Sequence, residues 1–382
     1  MDRHYGLDWL RIGAFGLLIF YHIGMVFVPW DYHVKLAAAD WVVVPMLATN
    51  AWRLMLLFVV SGYASRALMI RSDGLAAFAR NRSFRLLVPL AFGVAVIVPP
   101  QVWAELASKY GYARGYLHFW ARDYFSFETI GRIVVPTWNH LWFVGYLWLY
   151  TIGLTILAAI AGRVGHLFQR AGDWLFAGPL LFLVPTAWLL FISGWAFAGQ
   201  SETHALIDDG VAHASYLPMF LFGFWLAGSE SAIDRFRRFW PVTAALGLAA
   251  YAVVAGVEIA WPGGAPYPWG RVFSLGKGVQ GWMTIAALIG LAEAFLNRDH
   301  PWRRTLTEAV FPFYIIHQTV IVVVAYWLRG AGLPLAADFA ILVAATVTGC
   351  WAFYLVGRSV GWLRPLIGLR PRVHPRGDMA FA

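Results

Sequence analysis

Apolar residues run along this chain in blocks of about the 20 positions an α-helix needs to cross a bilayer core, and polar residues gather in the gaps. Ten such blocks are read near 10–29, 48–68, 86–104, 140–161, 175–197, 212–229, 240–260, 273–296, 307–328 and 336–357. The predicted fold is therefore all-α, a polytopic membrane protein of about ten transmembrane helices.

The gaps alternate in charge. With the N-terminus in the cytoplasm, the inside segments hold 19 Lys and Arg and the outside segments 8, while Arg11 and Arg53 fall within spans. That asymmetry puts both termini in the cytoplasm. A ten-helix domain then covers residues 1–360, with a basic cytoplasmic tail over 361–382. The outside segment 105–139 is expected to form re-entrant or interfacial helices. Ala37, Ala38 and Ala39 supply small residues after the first block, but that block is too long for a cleaved signal peptide and contains His22. No internal repeat, low-complexity run or linker divides the chain.

Composition strengthens the membrane reading. Hydrophobic residues make up 60% and charged residues 13%, against about a quarter charged in a soluble domain. The 21 Trp, 16 Tyr and 28 Phe are the rings that membrane interfaces collect. A net charge of +9 raises the question of a nucleic-acid partner. The basic residues lie between apolar runs, so membrane lipids are the expected contacts and no nucleic acid is expected. Cys350 is the single cysteine, and the 11 His lack the short spacings of a structural zinc site, so no metal is expected.

Ionisable side chains inside a span cost about 2.5–3.5 kcal/mol on insertion scales, which makes each one a candidate for function. Arg11 and His22 stand out. Eleven positions at 100° each leave them about 20° apart on one helix face and roughly 16.5 Å apart along the axis. Asn50 and Arg53 open the second helix, Asn139 and His140 the fourth, Lys277 enters the eighth, and His317 with Gln318 lies midway along the ninth. If these line one cavity, it opens outward and suits a polyhydroxylated or anionic ligand. For Arg53 and His140 interfacial anchoring is the bland alternative. Trp103, Trp120, Trp138, Trp142, Tyr112 and Tyr116 read as an aromatic belt, with a sugar-stacking platform as the alternative. Arg80, Arg82 and Arg85 precede the third helix and serve either as topology signal or as a phosphate clamp. Pro89, Pro99 and Pro100 should break or bend that helix.

The stretch Leu7-Asp8-Trp9-Leu10-Arg11 with His22 resembles the basic-residue, ten-residue gap, histidine signature of acyltransferase family 3, integral-membrane enzymes that modify extracytoplasmic glycans. Phe58-Val59-Val60-Ser61-Gly62-Tyr63, Arg82 to Pro89, His140-Leu141-Trp142-Phe143 and Tyr314-Ile315-Ile316-His317-Gln318 resemble further segments of that family, in order. The Asp31-Tyr32-His33-Val34 segment is similar to the branch that succinylates periplasmic glucans.

The resemblance implies a bacterial inner-membrane O-acyltransferase with a cytoplasmic acyl-CoA donor, acetyl-CoA or succinyl-CoA, and an extracytoplasmic carbohydrate acceptor. Arg11, Arg82 and Arg85 would hold the CoA phosphates. His22 would act as general base or as an acyl-accepting nucleophile. His140, His317 or Lys277 would stabilise the oxyanion, and Arg53, Asn139, Trp142 and Lys277 would meet the acceptor. No carboxylate lies near His22 in sequence to orient it, which leaves Glu258 or an outside loop to supply one. A transporter or flippase for an anionic solute, or a non-catalytic sensor, are readings from other classes. Paired broken helices in matching halves, which a transporter would favour, are not evident.

Overall fold

A computed structural model describes residues 4–161 and 165–371. The predicted basic tail beyond residue 371, with Arg372 and Arg376, and also Arg163 lie outside the described residues. In chain order come α1 (Tyr5–Gly24), α2 (Val43–Asn50), α3 (Arg53–Ile70), α4 (Leu75–Phe92), α5 (Pro99–Lys109), the single turn α6 (Tyr116–His118) and a hairpin of β1 (Thr129–Ile130) and β2 (Ile133–Val134). Then follow α7 (Trp142–Ala161), α8 (Gly165–Leu175), α9 (Leu180–Phe191), α10 (Gly210–Leu226), α11 (Glu230–Ala260), α12 (Trp269–Phe295), α13 (Pro301–Leu328), α14 (Leu335–Ser359) and α15 (Leu363–Leu366).

Seven of the described helical segments are long and apolar enough to cross a membrane, or eight if α8 and α9, bent by 86°, form one span. The molecule is an all-α polytopic membrane protein. The two remaining predicted blocks correspond to α1, which carries Asp8 and Arg11, and to α10, shorter at 17 residues.

The first helix starts and ends about five residues earlier than its apolar block. Val26, Phe27 and Val28 are apolar because they are buried in a loop beyond α1, not because the helix continues. Within residues 105–139, the stretch beyond the end of α5 holds only short elements. Helix α5 runs to Lys109, and beyond it stand one helical turn, a π-turn over Phe119–Asp123 and the short hairpin.

Pro89 sits within α4, which continues past it to Phe92, and the helix departs from α geometry only ahead of Pro99 and Pro100. Between α4 and α5 a π-turn covers Gly93–Ile97, and Pro99 and Pro100 contribute no N–H to the carbonyls one turn back. Other groups satisfy the backbone there: Trp120 Nε1 donates to the Ala95 carbonyl at 2.8 Å, Tyr124 Oη to Val94 at 2.9 Å and Thr319 Oγ1 to Ile97 at 2.7 Å. Helix α1 sits centrally, packed on α3, α12 and α13. Around it α3 packs on α10, α4 on α7, α11 on α12 and α13 on α14. Lipid gives helices no hydrophobic reason to associate, so close backbone approach matters more than in water. At the α3/α10 contact a Cβ on Gly62 would overlap the Phe220 carbonyl, and one on Gly223 the Val59 carbonyl.

Candidate functional site

Helix α1 brings two polar clusters into register. Near its N-terminal end Arg11 meets Arg82 and Arg85 of α4, close enough that the guanidinium groups repel one another, and Arg370 adds to the field on Arg85. Buried Nε atoms of Arg11 and Arg82 have no hydrogen-bond partner. Asp8, whose charge reaches Arg11, is itself held by Arg303 at 2.8 Å. A like-charged cluster with unspent donors has the chemistry to hold an anion. Below it His4 anchors the helix start to Glu293 at 2.8 Å and to Glu230, and these carboxylates raise its imidazolium to about 9.

Three turns further along, the second cluster is built of imidazoles. The α1 residue His22 faces His317 of α13, with ring centroids 5.0 Å apart and Nε2 of His317 3.2 Å from Nδ1 of His22. His140, delivered by the 3-10 turn that opens α7, lies 5.1 Å ring to ring from His317. His140 and His317 are buried, and His22 is partly open.

Backbone carbonyls fix the tautomers. Nδ1 of His317 lies 2.7 Å from the Tyr314 carbonyl, so it carries the proton and leaves Nε2 as an acceptor. Nδ1 of His22, 2.9 Å from the Leu18 carbonyl, is then the donor, shared between Leu18 and His317. Its Nε2 is left with a lone pair. The same reasoning gives His140 a protonated Nε2, donating to Ile315 at 3.0 Å, and an unpartnered Nδ1 lone pair in the interior. Neutral His140 and His317 therefore turn acceptors toward the site. Neither presents the N–H that an oxyanion needs.

The free donors belong to Arg53. The chain breaks at Ala51 and Trp52, which sets Asn50 at the end of α2 and Arg53 at the start of α3. The Arg53 guanidinium lies 3.2 Å from the centre of the Tyr21 ring, its charge reaches His22, and its buried Nε and Nη1 are unpartnered. Asn50 Nδ2 donates to Tyr21 Oη at 2.8 Å. Among the described residues no carboxylate hydrogen-bonds His22. Glu258 lines a separate cavity wall and accepts from the Gly263 N–H at 3.1 Å.

Two predicted residues are packed into the wall. Trp142 is buried with His204 stacked on it at 4.2 Å, which makes it a support for the loop before α10 and not an open platform. Asn139 Nδ2 donates to Gln101 Oε1 at 3.0 Å. From there a polar chain continues from the buried Gln318 to His33, which pairs with Glu105, and out to Lys109 and the exposed Asp31. Gln101, Glu105 and Glu202 were not singled out by their sequence. Glu202 accepts from Tyr216 Oη at 2.6 Å, bonds His204, and its charge reaches both Arg53 and Lys277. Its one signal in the sequence is an acidic residue in a connection free of Lys and Arg.

Among the described residues no group of three His, Cys, Asp or Glu side chains is arranged to hold a metal.

The chain resembles known proteins in sequence. No solved structure matches it. Proteins similar to it include the glucans biosynthesis protein C of Salmonella paratyphi B, Salmonella typhi and Salmonella typhimurium, each 24% identical over 234 residues. The aligned region covers 58% of this chain and 57% of the length of those relatives. Residues 4–355 match the acyltransferase domain family that includes the helices bearing both clusters, and the chain is a member of that family, acyltransferase family 3.

Proposed function

We propose that this protein moves an acyl group from cytoplasmic acyl-CoA to a hydroxyl of an extracytoplasmic glycan, with ten spans and both termini in the cytoplasm. The observation that carries the reading is a single unbroken helix with unpaired guanidiniums at one end and an imidazole with a free lone pair eleven residues away. The 19 to 8 distribution of Lys and Arg supports the arginine end as the inner one. Counting α1, α10 and the bent α8–α9 pair with the seven longer spans gives ten. The similarity to glucans biosynthesis protein C supports a glucan as acceptor and the bacterial inner membrane as the location.

In this reading Arg11, Arg82 and Arg85 hold the CoA phosphates, for which planar guanidinium forks are suited. The pantetheine arm runs along α1 and presents the thioester at His22. His22 Nε2 removes the proton from the acceptor hydroxyl as its oxygen attacks the thioester carbonyl. Arg53 stabilises the resulting oxyanion, with the Lys277 charge nearby. Collapse of the tetrahedral intermediate breaks the carbon–sulfur bond, and the proton on His22 passes to the departing CoA sulfur. His317 positions His22 through its Nδ1 and keeps Nε2 the basic atom. A covalent acyl-His22 intermediate uses the same groups, with Nε2 attacking first.

The test is to incubate membranes or purified protein with labelled acetyl-CoA or succinyl-CoA and a glucan, and to follow label into the glycan. Transfer of one label is expected. Failure of both donors to bind would end the acyl-CoA reading. Labelling of cysteines introduced at Ser72 and Ser201 is expected from opposite faces, inside and outside respectively.

A further inference from the structure

A cavity of about 400 Å³ opens between the loop after α1, the end of α2, the α11–α12 connection and the first turns of α12. Its size is that of a small-ligand pocket. Trp30, Asn50, Glu258, Trp261, Phe273 and Lys277 line it. The Trp261 indole is stacked with Trp269 at 5.3 Å and 24°, so its ring is held rigidly at the wall. Glu258 and Lys277 place opposite charges in one wall, an arrangement that disfavours a simple anion or cation and suits a neutral polyol able to use both. Aromatic faces carry negative charge and attract the weakly positive C–H face of a pyranose ring.

The cavity is linked to the reactive cluster through shared side chains. Asn50 lines the cavity and bonds Tyr21, the ring that carries Arg53 and the sequence neighbour of His22. Lys277 lines it too, and its charge reaches Arg53. The geometry points to this cavity as the subsite for a neutral hexose unit of the acceptor, Trp261 meeting the ring face and Glu258, Asn50 and Lys277 its hydroxyls. This rests on the acceptor being a glycan, as proposed above, and adds where and by which residues its sugar ring is held.

Equilibrium dialysis of the full-length protein in detergent against a labelled glucose tetrasaccharide tests it without any donor present. Wild type is expected to bind saturably, Trp261→Ala to lose at least tenfold in affinity, and Trp261→Phe to recover most of it. Glu258→Gln keeps an oxygen for the Gly263 N–H and is expected to remain folded while binding several-fold more weakly. Wild-type affinity in both Trp261→Ala and Glu258→Gln overturns the assignment, as does displacement of the sugar by glycerol phosphate. Because binding is read directly, failure of acyl-CoA transfer alone leaves this subsite standing. Loss of the subsite likewise leaves the donor reading intact.

Discussion

The two ends of α1 solve opposite problems with the same helix. At the N-terminal end positive charge is concentrated: Arg11, Arg82 and Arg85 repel one another, and Arg11 and Arg82 each keep a buried Nε unspent. At the other end three imidazoles sit beside a single guanidinium, that of Arg53. His22, His140 and His317 are each tied to a backbone carbonyl that dictates the proton's position. One cluster is suited to capture an anion, the other to move a proton, and the contrast shows how a buried polar group is specialised. Unpaired donors make a binding site, whereas a paired imidazole nitrogen makes its ring partner a defined base.

The sharpest break in that comparison is His22→Ala. It should lower acyl transfer by roughly 10²–10⁴-fold while leaving donor affinity near wild type, read by steady-state transfer assays beside acyl-CoA binding. Wild-type turnover would remove His22 from the chemistry, and loss of folded protein would mark it as a packing residue.

Arg82→Ala and Arg85→Ala probe the other end. Each should weaken donor binding by about 1–3 kcal/mol through lost charge-assisted hydrogen bonds, seen as a raised apparent KM for acyl-CoA with acceptor binding spared. Weakened glycan binding instead would reverse the roles of the two ends.

The smallest effect concerns the anchor beneath the arginines. The imidazolium of His4 is raised to about 9 by Glu293 and Glu230, above an ordinary histidine near 6.5. A raised pKa stabilises the fold fully below the ordinary value, and the contribution fades as pH climbs through about 9. Hydrogen exchange in the first turn of α1 should therefore quicken between pH 7 and 10 in wild type. In His4→Ala it should already be fast at pH 7 once the intrinsic pH dependence of exchange is divided out.

Much of this architecture was legible because lipid demands long apolar runs, and seven of the ten blocks became helical segments long and apolar enough to cross a membrane. Arg11 and His22 were legible because helical periodicity alone puts them on one face. The partnership of His22 with His317 was not, since it joins residues 295 positions apart through packing. Nor were the roles of His140 and Trp142: a sequence names an imidazole or an indole, but only the Ile315 carbonyl and the stacked His204 reveal which nitrogen is free or which face is covered. Glu202 and Gln101 stayed hidden for a related reason. A polar residue in a loop or at a broken helix gives no periodic signal, and its importance arises entirely from what folds against it.

The unbroken course of α1 between Arg11 and His22 has a consequence for selectivity. A rigid spacer of roughly 16.5 Å works as a ruler. A donor whose phosphate and acyl carbon are joined directly, such as an acyl phosphate, would dock among the arginines with its carbonyl stranded far from the imidazole. Only a carrier with an arm of matching length spans both ends at once, so the enzyme would choose its donor by reach before it recognises the group being moved.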